Sequence, residues 1–137
     1  GSLFNTLNHL AVADTLWLRR FASHADLGWM HEGLQPLAQP TSLTQRVADA
    51  LPQLRAYRQQ ADEVISAFAS RVTPAHLAST LRYTTTAGQP QAKNFGALVL
   101  HLFNHQTHHR GQATTLLFQA GADVGVTDLV ALVPGEV

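Results

Sequence analysis

Residues 94–121 read NFGALVLHLFNHQTHHRGQATTLLFQAG. This stretch predicts one long helix, because Asn94 can cap its start and Gly121 stands where a left-handed residue commonly ends a helix. On a helical wheel at about 100° per residue, the apolar residues at 98, 102, 113 and 116 fall within one arc. We expect that arc to face the core.

Four of the chain's eight histidines lie in this helix. With His101 at zero on the wheel, His105 falls near 40° and His109 near 80°, inside the apolar arc, whereas His108 lies near its edge at about −20°. Residues four apart have Cβ atoms about 5–6 Å apart, so both imidazoles can converge on one ion at bond lengths of about 2.0–2.1 Å. We predict that His105 and His109 are a buried pair that binds divalent zinc, nickel, cobalt or iron. The alternative is a pair of core histidines hydrogen-bonded to the backbone or to each other.

The neighbours of the pair exclude two known metal motifs. Gln106 follows His105, where zinc proteases carry a glutamate as general base, and the chain has no Glu-x-x-His pair of a di-iron bundle. A third ligand must come from elsewhere, and the first predicted helix offers His9 and Asp14. Periodicity does not choose between them, because Asp14 is equally explained as a buried carboxylate paired with an arginine or holding a histidine N–H.

Two more long helices are predicted upstream of this stretch. Helical periodicity covers Leu3 to about Ala25, and a second helix extends from Thr41 or Ser42 to about Arg71, with Pro52 either kinking it or marking its true first turn. The glycine- and proline-rich segment 26–42 between them predicts a loop, of which residues 26–40 could gate the site.

The remaining segments are short. Thr73 and Pro74 predict a brief helical turn, and alternation over 81–85, a turn at 87–88 and residues 89–93 predict a β-hairpin. Residues 124–133 are apolar enough to pack back on the bundle. The fold class predicted from these segments is an all-α bundle with one small hairpin, forming a single domain over residues 1–137.

Composition narrows the classes of function. Nine basic residues balance nine acidic ones, so the chain lacks the basic excess that nucleic-acid binding requires. The absence of cysteine excludes disulfides and zinc-thiolate sites and is compatible with a reducing cytosol. No apolar run of about 18 residues and no signal-peptide pattern occurs, so we expect a cytoplasmic protein without a membrane partner.

Several short motifs together resemble the DinB family. They are Leu7-Asn8-His9-Leu10 with Ala13-Asp14 and Trp17-Leu18, the run NHQTHHRGQ at 104–112, LRAYR at 54–58 and LRY at 81–83. The resemblance covers nearly the whole chain, and the His-His-Arg-Gly-Gln run is its most specific part. It implies a four-helix, up-down bundle, usually dimeric, in which one histidine and the HxxxH pair form a metal site.

By position, the resemblance assigns the ligands to His9, His105 and His109. It leaves Asp14 behind the ligands and His108 and Arg110 at the rim of the site or at another interface. Family chains begin with an additional long helix, which this chain would lack. We expect the apolar groove left by that helix to be filled by a partner chain, giving a homodimer.

The resemblance also implies a function for the metal. Nickel or zinc is favoured, with iron, cobalt or manganese as alternatives, and the activity would be transfer of a low-molecular-weight thiol to small electrophiles. A metal-dependent hydrolase, with Asp14 or His108 as general acid or base, is the second hypothesis. A non-catalytic stress-response module whose metal is structural is the third.

Overall fold

A computed structural model describes residues 2–135 of the protein. Its elements, in chain order, are α1 (Leu3–Phe21), α2 (Met30–Leu34), α3 (Leu51–Arg71), α4 (Pro74–Ala78), β1 (Thr80–Thr84), β2 (Pro90–Asn94), α5 (Phe95–Gln119) and a 3-10 turn at Leu129–Leu132. The strands pair only with each other, in an antiparallel register that places Arg82 opposite Ala92. The predicted all-α fold with a small hairpin is therefore confirmed.

The core lies between α1, α3 and α5. Phe21 and Phe68 contact each other with ring centroids 5.4 Å apart, and Phe95 lies edge-on to Phe21 at 5.0 Å. All three rings are essentially inaccessible to solvent, and burying each contributes about 1.5–3 kcal/mol. Since the end of α1 meets the start of α5, the two helices run antiparallel.

Local signals begin and end the longest helix where the sequence predicts. The side chain of Asn94 accepts a hydrogen bond from the Ala97 N–H at 2.9 Å, which satisfies one of the free donors of the first turn. After the last turn, Gly121 has φ 82°, and the N–H of Ala122 donates to the Leu117 carbonyl at 2.9 Å. A residue with a Cβ would be strained at this φ.

The predicted starts and ends of the other long helices need correction. α1 ends at Phe21 rather than near Ala25, and α3 begins at Leu51 rather than at Thr41 or Ser42. Pro52 therefore marks the true first turn of α3, the second of the two interpretations. The helix begins here because the Gln53 side chain accepts hydrogen bonds from the N–H groups of residues 49 and 50, which turns the chain just before it.

The prediction that residues 124–133 pack back on the bundle is wrong. Val126, Leu129 and Leu132 are 76–80% exposed, and Phe118 in the last turn of α5 is 73% exposed. The reason is geometric: the end of α5 reaches beyond the start of α1, so the tail follows a part of the helix that no other described element covers. Within residues 2–135, no helix has both the length and the hydropathy needed to cross a bilayer.

A groove with a volume of about 550 Å³ lies between α1, α3 and α5. Four leucines line it, at positions 7, 10, 51 and 54, together with polar side chains that include Arg58 and Gln106. The groove and the three-histidine group described below are separate features.

Candidate metal centre

The antiparallel packing of α1 on α5 brings His9 against His105 and His109. The Nε2 atoms of His9 and His105 are 3.2 Å apart, and the ring of His109 lies 4.5 Å from that of His9 and 4.4 Å from that of His105. One nitrogen from each residue lies within 4.8 Å of the other two, so the group could hold a metal ion.

These distances suit a common ligand position. Four nitrogens placed tetrahedrally at about 2.0–2.1 Å from zinc are about 3.3 Å apart. The His9–His105 separation of 3.2 Å is close to that value, and the ligand nitrogen of His109 lies within 4.8 Å of the other two. The same contact is also within the distance at which an Nε2–H of His105 can donate to Nε2 of His9.

Two of the three rings are oriented through their other nitrogen. Nδ1 of His109 lies 2.7 Å from Oε1 of Gln112, and Nδ1 of His9 lies 3.4 Å from the carbonyl oxygen of Leu43. Both partners are acceptors, so Nδ1 is the donor in each contact and Nε2 is the ring nitrogen left to face an ion. Metal-binding histidines are generally held in this way.

His105 is the most desolvated member of the group. Burial, followed by the repulsion of His109 and His9, lowers the pKa of His105 to about 4. Its ring is therefore neutral near pH 7, as a metal ligand must be. Its Nδ1 is buried and has no hydrogen-bond partner within residues 2–135.

His105 and His109 are half-buried, not buried as the helical wheel predicts. The wheel places them in the apolar arc, but solvent still reaches part of each ring. The segment 41–49 contributes the Leu43 carbonyl beside His9.

Asp14 does not join the histidines. Its side chain is fully buried, and its carboxylate accepts hydrogen bonds from Nη1 of Arg58 and, at 2.8 Å, from Nε2 of Gln106. Burial raises the pKa of Asp14, and the adjacent Arg58 guanidinium opposes that rise. The structure thus places Asp14 as a buried carboxylate paired with an arginine, one of the interpretations left open by periodicity.

Gln106 is a residue whose role the sequence pattern does not reveal. It is buried, and its amide connects α5 to the Asp14–Arg58 pair on α1 and α3. The sequence did contain one indication of this role. Gln106 lies near 140° on the helical wheel, next to the apolar arc, where a buried polar side chain needs a hydrogen-bond partner.

His108 and Arg110 lie outside the three-histidine group. His108 is exposed and its Nε2 lies 3.1 Å from the amide nitrogen of Gln112, at the edge of the group. Arg110 borders the groove between α1, α3 and α5, and its guanidinium donates to the hydroxyl of Thr107.

The segment that approaches the histidines is not the one expected to gate the site. Residues 26–40 include α2 and are held away by Arg19, whose guanidinium donates to the carbonyls of Leu34 at 2.9 Å and Leu37 at 2.7 Å. Residues 41–49 lie over His9 instead. Asn8 fixes them, donating to the Gln45 carbonyl at 2.8 Å and accepting from the Val47 N–H at 3.0 Å.

Comparison with known proteins identifies the family of the chain. No curated protein and no solved structure matches the chain. The family model described as the DinB family matches residues 1–134, a range that includes both helices of the three-histidine group. The chain therefore belongs to the DinB family.

Proposed function

We propose that this protein is a cytoplasmic, metal-dependent enzyme that transfers a low-molecular-weight thiol to small electrophiles, with a divalent ion held by His9, His105 and His109. The observation that carries the proposal is the convergence of three imidazoles, two of them already oriented through Nδ1. Three protein ligands leave an open coordination position, which is typical of catalytic rather than structural sites.

An ion in this group would supply a Lewis acid that lowers the pKa of a bound thiol or water. The ligand set contains imidazole and no carboxylate, which favours nickel or zinc, with iron and cobalt as alternatives and manganese less suited. The chain's own contribution is to hold three imidazole rings in place while leaving each of them partly exposed.

Thiol transfer fits the surroundings better than hydrolysis does. A hydrolase needs a general acid or base beside the ion. Neither of the two candidates for that role, Asp14 and His108, faces the three-histidine group. Asp14 is fully buried and engaged with Arg58 and Gln106, and His108 is exposed and turned toward Gln112. A thiolate is itself a nucleophile and needs no such base once formed.

The metal site is tested first by elemental analysis of protein purified without an affinity metal column and then supplied with nickel or zinc. We expect about one ion per chain in the wild type and loss of most of it in His9→Ala, His105→Ala and His109→Ala. His101→Ala and His108→Ala are matched controls on the same helix and should keep the ion. No binding by the wild type, or equal loss in the controls, would contradict the site.

The reaction is tested separately on the loaded protein. We expect consumption of a small thiol together with an electrophile such as maleate, and its loss after chelation. Turnover of activated esters without thiol would instead indicate a hydrolase. A stoichiometric ion with neither activity would favour a stress-response module in which the metal is structural.

A further inference from the structure

A second groove, with a volume of about 590 Å³, lies between α1, the end of β1 with the turn that follows it, and residues 40–41. Its lining contains Arg19, Arg20 and Arg82 and the threonines at 84–86, and no aspartate or glutamate. Three guanidinium groups without a lining carboxylate create a positive potential, which attracts anions into a concave site.

The three arginines are not equivalent. Arg19 already donates to backbone carbonyls and so forms part of the wall. Arg20 and Arg82 have no hydrogen-bond or ion-pair partner for their guanidinium groups within residues 2–135, so their donors are free for a ligand.

Two aromatic rings hold the guanidinium of Arg20 in place. Its central carbon lies 4.5 Å from the ring centre of Trp17 and 5.0 Å from that of Tyr83. Stacking on aromatic faces leaves the edge of the guanidinium, which carries its N–H donors, free to bind a planar carboxylate with two parallel hydrogen bonds. Burial lowers the pKa of Arg20, a cost that a bound anion would offset.

The groove is lined by residues that neighbour the three-histidine group in sequence or through their rings. Leu16, in its lining, lies seven residues and about two helical turns from His9, on the same side of α1. The ring of Trp17 lies 5.1 Å from that of His101, which lies 6.0 Å from that of His105. Thr41 lines the groove only two residues before Leu43, whose carbonyl faces His9.

The distance between the two sites sets the size of the ligand. The Cα atoms of His9 and Arg20 are separated by about 16 Å along the helix axis, and side chains on a helix lean toward its N-terminus, which brings the guanidinium nearer to His9. A molecule that occupies both places must therefore be extended, whereas a short carboxylate or a small inorganic anion can occupy only one of them.

We propose that this groove is the subsite for a carboxylate group of the substrate, with Arg20 as its principal partner and Arg82 as the second. This inference rests on the proposed function, since it takes the reacting end of the same molecule to lie at the three histidines. The carboxylate belongs either to the thiol or to the electrophile, and the experiment distinguishes the two.

The test measures binding by metal-stripped protein, which separates it from catalysis. N-acetylcysteine, its uncharged amide and the thiol-free diacid glutarate are titrated at constant ionic strength, and the side-chain Nε–H signals of the arginines are followed by NMR. We expect one carboxylate to shift the Arg20 signal while the amide does not. Preference for N-acetylcysteine places the carboxylate on the thiol, and preference for glutarate places it on the electrophile.

Arg20→Gln should weaken that binding by about 10- to 100-fold, the range for a lost hydrogen bond to a charged group. Arg71→Gln is the matched control, because Arg71 also stacks on a tryptophan, at 4.3 Å from the Trp29 ring, but borders a groove that contains Glu32 and Glu63. Circular dichroism checks that Arg20→Gln remains helical. If it does not, Arg82→Gln, at an exposed position of β1, replaces it and should weaken carboxylate binding by a smaller factor.

Three results would overturn the subsite: no shift in the wild type, equal binding of acid and amide, or equal weakening by Arg71→Gln. If these occur while the ion is bound stoichiometrically, only the subsite fails. If carboxylates bind through Arg20 while no ion is retained, the metal-dependent function fails and the groove remains a carboxylate site.

Discussion

At the scale of single residues, Gln112 is the side chain that orients His109. Its Oε1 accepts from Nδ1 of His109 at 2.7 Å, while its amide nitrogen lies beside His108. Neither contact is implied by periodicity, although Gln112 belongs to the motif on which the family resemblance rests. Residues that hold a ligand ring affect metal affinity without touching the ion.

We expect Gln112→Ala to weaken metal binding by about 10-fold, the lower end of the range for such partners, because the His109 ring would then rotate freely. Competition with a chelator of known affinity measures the change. Gln119→Ala, an exposed glutamine on the same helix, should leave affinity unchanged. An unaltered affinity in Gln112→Ala would show that packing alone orients His109.

Arg58 is the residue on which the burial of Asp14 depends. Arg58→Met would leave a fully buried carboxylate with Gln106 as its remaining donor. We expect a loss of about 3 kcal/mol in the free energy of unfolding near neutral pH, the lower end of the range because the Arg58 side chain is 32% exposed. Urea unfolding measures this, with the exposed Arg55→Met as control.

The same variant has a defined pH dependence. Burial already raises the pKa of Asp14, and loss of Arg58 raises it further above the unfolded value of about 3.9. Between those two pKa values the folded state holds a proton that the unfolded state releases, so stability falls as pH rises. Arg58→Met should therefore cost less at pH 5 than at pH 8. An equal cost at both would mean that Asp14 is solvated in the variant.

At the scale of elements, the segment 41–49 has the only long stretch of irregular backbone that lies against the three-histidine group among the described residues. Two hydrogen bonds from the side chain of Asn8 attach this segment to α1. Asn8 is buried and lies one position before His9. A helix was predicted here, and the tether to α1 explains why the chain remains irregular until Gln53 turns it into α3.

We expect Asn8→Ala to release this segment, because the Val47 N–H and the Gln45 carbonyl would lose their partners. The cost should be about 1–3 kcal/mol in unfolding free energy. The rate of hydrogen exchange at the Val47 amide should increase more than the rates at the amides of α1. Asn5→Ala, on the exposed side of the same helix, is the control. Unchanged exchange at Val47 would contradict the tether.

At the scale of the whole molecule, three large apolar side chains are exposed on one side of the longest helix. On α5, Leu100 is 63% exposed, Phe103 39% and Phe118 73%, and the three lie on one side of the helix at spacings of three and fifteen. This stripe faces away from the core. It supports the expectation of a homodimer that the family resemblance implies.

We therefore expect light scattering to give a dimer mass, and Leu100→Glu to shift it toward the monomer, because a charge in an apolar interface must be desolvated. Two faces could form the interface: the stripe on α5 and the groove between α1, α3 and α5. Leu51→Glu places a charge in the groove and so tests the second face. Dissociation by Leu51→Glu alone would locate the interface in the groove. A monomeric wild type would contradict the expected dimer.

The sequence by itself determined the features whose causes are local. Asn94 and Gly121 bound α5, Thr73 and Pro74 begin α4, and the turn at 87–88 joins β1 to β2, because caps, prolines and turns act within a few residues. The separation of four between His105 and His109 is equally local, so one helix brings their rings to 4.4 Å whatever packs around it.

Only the tertiary structure decided which groups meet across the chain. Periodicity could not choose between His9 and Asp14 as the third residue of the group. Helix packing places His9 beside His105, whereas Asp14 forms an ion pair with Arg58. The same holds for Asn8 and the segment 41–49, and for the exposed tail at 124–133. Contacts between residues far apart in sequence depend on how helices pack, which a pattern within one helix does not specify.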